Sequence, residues 1–132
     1  IRFCNCSFGT AKVKTSELTG PALNWAVAKS EGLNPNSDPK IRRQYVGYSG
    51  FAEANGFGYA IKHYSTDWSQ GGPIIEREWI ELGAYHDQWR AVFHGEEGSI
   101  HQDGPTPLTA GMRCLVESRL GDEVDVPEEL LS

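Results

Sequence analysis

At 132 residues the chain has the length of one domain and can bury a core without metals or cross-links. Hydrophobic residues at 39% and four tryptophans exclude a disordered polymer, and no apolar run approaches the length of a membrane span. The formal charge of −6 argues against a general duplex-DNA binder, because phosphate contacts by basic groups dominate that affinity.

Residues 1–11 match no recognisable element and hold Cys4 and Cys6, two of the three cysteines. They read as leader or appended sequence ahead of a single α+β domain at 12–121. They also lack the basic start and continuous apolar stretch of a signal peptide, so the expected location is the cytoplasm of the host cell. An odd cysteine count with no framework reads as reduced thiols. Val13, Lys14 and Thr15 suffice for a short strand. Thr19 is a suitable helix N-cap, Pro21 suits a first turn, and apolar residues recur at helical spacing up to Gly32, which predicts a helix over 20–31. Gly32 suits the position just past its end.

The stretch 34–62 opens with loop residues and continues through Lys40, Arg42, Arg43 and Tyr45. Glycines then alternate with aromatics, Tyr48, Phe51, Phe57 and Tyr59 among them. Ser65 or Thr66 can cap a second helix reaching about Arg77, with Pro73 expected to kink it or to begin a fresh helix. Strands are expected at 79–82 and 88–94, joined by a hairpin loop at 83–87, with a third at 99–102. In the second, Trp89, Ala91 and Phe93 alternate with Arg90, Val92 and His94. The last helix is the plainest element. Thr106 caps it, Pro107 takes its first position, Leu108, Met112, Leu115, Val116 and Leu120 form one apolar face, and Gly121 ends it. Residues 122–132 hold five acids and no base and read as an acidic tail. The expected fold is α+β, a small antiparallel β-sheet packed with two to three helices.

Three stretches are familiar together. They are Lys12-Val13-Lys14-Thr15-Ser16-Glu17-Leu18-Thr19-Gly20-Pro21-Ala22-Leu23, Tyr64-Ser65-Thr66-Asp67-Trp68-Ser69-Gln70-Gly71-Gly72-Pro73-Ile74-Ile75-Glu76 and Asp103-Gly104-Pro105-Thr106-Pro107-Leu108. With the helix that follows and the Gly-Asp-Glu-Val ending, they resemble the NinX family of small phage accessory proteins. The tyrosine-led motif and last helix are also similar to a wider phage α-β-α sandwich domain. The resemblance implies that fold and a phage origin, and it carries over no catalytic residue. Residues 40–62 lie outside it, and Ala11 stands where the family's start is expected.

The chemistry-bearing groups are then weighed singly. Tyr64, Ser65, Thr66, Asp67 and Trp68 form the densest polar cluster. A helix N-terminus with hydroxyls is a ready anion site, yet ordinary capping with Trp68 in the core explains the same residues and outweighs it. Glu76, Glu78 and Glu81 read as a solvated face rather than an acid–base pair. His63, His86, His94 and His101 lack metal-ligand spacing, Cys4 and Cys6 lack a second pair, and Cys114 falls mid-helix near the buried face. No metal, cofactor or catalytic residue is implied, and an enzyme is the weakest reading.

Residues 40–62 differ, with Lys40, Arg42, Arg43 and Lys62 against Glu53 in an acidic protein. Basic groups suit phosphates and aromatic faces stack on planar groups, which nominates Arg42, Arg43, Tyr45, Tyr48 and Tyr59 with the residues at 64–68 as a ligand site. A flap covering the sheet explains the aromatics equally well. The leading expectation is non-catalytic binding of a small nucleotide-like ligand, a host immune signal being the concrete case. The alternative is an interaction module for a host or phage protein, and a homo-oligomer fits either.

Overall fold

The computed structural model describes residues 10–32, 34–35, 51–54, 57–60 and 63–131. Arg42, Arg43, Tyr45 and Tyr48 lie outside them, as do Cys4 and Cys6. The fold is α+β, with three helices and small antiparallel sheets among the described residues. Strand β1 (Thr10–Lys14) leads through a 3-10 turn (Thr15–Glu17) into α1 (Gly20–Ser30). Strands β2 (Asn34–Pro35), β3 (Phe51–Ala54) and β4 (Phe57–Ala60) form one three-stranded sheet. Helix α2 (Trp68–Glu78) precedes a second, made of β5 (Glu81–Tyr85), β6 (Gln88–Gly95) and β7 (Gly98–Gly104) with β6 central. Helix α3 (Pro107–Leu120) and strand β8 (Glu123–Pro127) follow, and β8 pairs with β1.

Helix α3 is the centre of the molecule. Nine consecutive residues from Leu108 to Val116 are buried, so it is covered all round rather than on the one apolar face expected. It packs against β5, β6 and β7 and also against α1, α2 and β8. Small residues permit this: a Cβ at Gly111 would sit 2.9 Å from Ile75 Cδ1, marking a close approach of α2 to α3. The termini of α3 follow expectation. The Thr106 hydroxyl accepts the Thr109 N–H at 3.1 Å, and Gly121 stops the helix at φ 95°. Gly32 likewise takes φ 85° just after α1.

Several expectations are corrected. The segment 122–132 is not merely an acidic tail: Val124 and Val126 alternate inward while Glu123 and Asp125 face out, the period-two pattern of a half-buried strand. Its partner includes Thr10 and Ala11, opposite Pro127 and Val126, within the stretch read as leader. Thr19 stands at the N-cap position but makes no side-chain capping bond. Helix α2 is capped by Asp67 rather than Ser65 or Thr66, and it runs unbroken through Pro73. The missing Pro73 N–H deprives only Ser69, whose exposed carbonyl water can serve. Trp79 is a left-handed cap at φ 56° rather than a strand residue. Strand β5 therefore begins later than expected and reaches Tyr85, leaving His86 and Asp87 as the turn.

Two interior ties hold the layers in register. The Arg113 side chain, buried on α3, donates from Nε to the Leu18 carbonyl at 2.9 Å and from Nη1 to the Asp103 carbonyl at 2.6 Å. Burial lowers its pKa against the opposing pull of Asp103. The Thr15 hydroxyl donates to the Gly121 carbonyl at 2.7 Å, and the Thr15 N–H donates to that of Asp122 at 2.8 Å.

Candidate functional site

The polar cluster at 64–68 lies on a tight turn leading into α2. The His63 carbonyl accepts from the N–H groups of Thr66 and Asp67, and the His63 N–H donates to the Gln70 side chain. This folds the turn back onto the first helical residues. The fit requires glycine at position 71, since a Cβ there would overlap the Tyr64 carbonyl oxygen and lie 2.9 Å from Leu108 Cδ1. Asp67 Oδ1 then accepts from the Ser69 N–H at 2.9 Å and the Ser69 hydroxyl at 2.7 Å. Those bonds hold the Asp67 carboxyl below its ordinary pKa. The helix thus supplies its own anion at its positive end.

Behind the turn, Tyr64 and Ser65 are buried and Asn24 reaches across from α1, its Oδ1 accepting the Ser65 N–H at 2.8 Å. Two buried side-chain donors, one on this turn and one on α1, have no hydrogen-bond partner among the described residues. They are the Ser65 hydroxyl and the indole N–H of Trp25, the residue next to Asn24. A buried polar group without a partner is costly, so such pairs mark places where a further acceptor is wanted. Lys29 Nζ lies 5.3 Å from the centre of the Trp25 ring and adds positive charge nearby.

Of the residues nominated from sequence, Tyr64, Ser65, Thr66, Asp67 and Trp68 are brought together by this turn. Trp68 is not core: it is half exposed, with its ring over Gly72. Tyr59 falls on β4. Asn24 and Trp25 were missed, because a helical stripe of apolar character conceals an asparagine that points to another element. The bond between Asn24 and Ser65 spans about forty residues of chain, and no local pattern announces it.

A second polar arrangement, also missed, covers the open face of the β5–β6–β7 sheet. Ala91 on β6 is buried under α3, so the alternate residues Arg90, Val92 and His94 face away. The register places Asp103 opposite Arg90 and Ser99 opposite His94. Arg90 grips Asp103 through two bonds of 2.7 and 3.0 Å and stacks 3.6 Å from the centre of the Tyr85 ring. The pair lowers the Asp103 pKa and raises that of Arg90. Beside it, His94 lies 3.1 Å from the Ser99 hydroxyl and 3.2 Å from a Glu81 oxygen, with Glu81 and His94 well exposed to water. An open groove of about 220 Å³ runs along β5 over Glu81, Gly83, Tyr85, Arg90 and Val92.

The remaining reactive groups are engaged elsewhere. Glu78 accepts from Arg77 and Arg119, each at 2.8 Å, and Arg77 also grips Glu31, so this acid ties the three helices together. Glu78 and Glu81 therefore do not share a site. Cys114 is fully buried, its thiol donates to the Ala91 carbonyl at 3.1 Å, and burial pushes its pKa up to about 12. Among the described residues no group of histidines, cysteines and acids is placed to hold a metal ion, and no helix is long and apolar enough to cross a membrane.

The sequence from 14 to 119 matches the family model described as bacteriophage P22 NinX. No curated protein matches the chain significantly.

Proposed function

From the premise that this chain belongs to the bacteriophage P22 NinX family, and so is a phage accessory protein, we propose that it acts by non-catalytic binding of a small phosphorylated, nucleotide-like ligand. The observation that carries the reading is the Ser65 hydroxyl, buried on the turn into α2, together with the buried Trp25 indole N–H on α1, neither of which has an acceptor among the described residues. Both can donate, and a ligand rich in phosphate and carbonyl oxygens offers acceptors. Because Asp67 already caps the helix, the charge for a phosphate comes from elsewhere, and Arg42 and Arg43 supply it in this proposal. Tyr45, Tyr48 or Tyr59 stacks on the planar group. Sequestering a host immune signal is the use that a phage would have for such a site.

A thermal-shift screen of nucleotides and cyclic nucleotides tests this. Wild type is expected to be stabilised by at least one compound. Changing Arg42 and Arg43 together to Ala removes that stabilisation while the ligand-free melting temperature hardly moves, since each lost charged hydrogen bond costs about 1.5–3 kcal/mol of binding. Silence of the whole panel on wild type sinks the proposal. The competing reading, a module for a host or phage protein, draws on Trp79, which is 84% exposed beside the start of β5. In that case a host or phage protein co-purifies and no nucleotide shifts the melting point.

A further inference from the structure

We propose that the chain associates with a second copy of itself by pairing β5 antiparallel to β5 across a two-fold axis at Gly83, joining the two three-stranded sheets into one of six strands. Among the described residues strand β5 is a sheet edge with only β6 beside it, and four of its five residues are exposed. An edge offers a row of backbone donors and acceptors, and proteins that stay monomeric usually guard such rows with lysine, proline, a bulge or a covering element. Here the sequence is Glu-Leu-Gly-Ala-Tyr, with one charge and no lysine or proline. The opposite edge, β7, is tied down: the Asp103 carbonyl accepts from Arg113, and the Gln102 side chain donates to Glu117 at 2.6 Å.

The strand is complementary to itself. With Gly83 opposite Gly83, Leu82 of each copy meets Ala84 of the other, and Glu81 meets Tyr85. Leu82 and Ala84 share the face that α3 covers, yet Ala84 is exposed there, so the larger residue of one copy fills the gap beside the smaller one of the other. On the open face Gly83 leaves the groove of about 220 Å³ without a side chain at its middle. The Tyr85 ring of the second copy sits diagonally across from that glycine and covers it, as aromatic residues do for strand glycines. No like charges face each other across the axis. One short strand pair buries less than a standard interface, so the dimer is expected to dissociate in the micromolar range.

Sedimentation equilibrium of wild type and Ala84→Lys across the micromolar range tests the idea. Ala84 is exposed in the single chain, so the lysine leaves folding intact but places a charge against the Leu82 of the second copy, and dimerisation is expected to weaken about tenfold or more. A second measurement fixes the register. In antiparallel pairs the facing Cα atoms lie about 4.5–5.5 Å apart, within the roughly 4.4–6.8 Å that a disulfide spans. Gly83→Cys, in a background of Cys4→Ser and Cys6→Ser, is expected to give a covalent dimer on mild oxidation, and Asp87→Cys is not. A wild type that stays monomeric throughout overturns the proposal. So does a dimer that Ala84→Lys leaves intact and that Gly83→Cys fails to cross-link.

Discussion

Single side chains in this protein carry effects of different size, and two of the interior helix glycines, Gly71 and Gly111, show it. Gly71→Ala drives a methyl group into the Tyr64 carbonyl, a backbone atom that cannot swing aside. A loss of about 2 kcal/mol or more is expected, visible as a lower midpoint in urea unfolding. Gly111→Ala also makes a close contact, but with the outer atoms of the flexible Ile75 side chain. There the helical preference for alanine, worth about 1 kcal/mol, offsets the crowding, and the net change should stay within about 1 kcal/mol. Equal losses at both sites would mean that the turn at 63–67 does not rest on α2 as described. Ser65 supplies the complementary case. Its hydroxyl is buried without a partner among the described residues, so Ser65→Ala removes an unpaid polar group and is expected to leave the ligand-free protein equally stable or slightly more so. If the hydroxyl serves the proposed ligand, the same change weakens its binding by up to about tenfold in calorimetry. A clear loss of ligand-free stability would show instead that Ser65 has a structural acceptor.

Among the elements, those bounded by local chemistry were legible in advance. Thr106, Pro107 and Gly121 mark both ends of α3, and each acts as its residue type suggests. Elements whose limits depend on distant contacts were not. The two-residue turn at His86 and Asp87 lacks the Asn-Gly or Gly-led signature of a tight hairpin, and His86 adopts φ 56° without any local sign of it. Misplacing that turn hid the β5–β6 register, whereas the meeting of Arg90 with Asp103 and of His94 with Ser99 follows from the next turn, at Glu96 and Glu97, which joins β6 to β7. The polar turn at 64–68 was visible as a cluster, whereas its partners on α1 were not, because Asn24 lies on a stripe that reads as core. Strand β8 was missed for a related reason. Five acids in eleven residues dominate any reading by composition, while the inward alternation of Val124 and Val126 spans too few residues to outweigh them.

For the molecule as a whole, the pairing of β1 with β8 joins positions more than a hundred residues apart, from Thr10 opposite Pro127 to Lys14 opposite Glu123. Val126 is fully buried in that arrangement. Val126→Ala should therefore lower unfolding free energy by about 1–3 kcal/mol, as a lost pair of core methyl groups does. Asp125→Ala removes only an exposed ion pair, 3.6 Å from Lys12, and should cost less than about 0.5 kcal/mol. A solvated tail predicts no change from either, and urea titrations of the two variants separate the cases. The same ladder governs the order of events in folding. Closing a loop that long is entropically slow, and β1 has no other strand to pair with among the described residues. Strand β1 thus waits for β8, and until residue 127 has been made its partner among the described residues does not exist, leaving its edge open to whatever else is present in the cell.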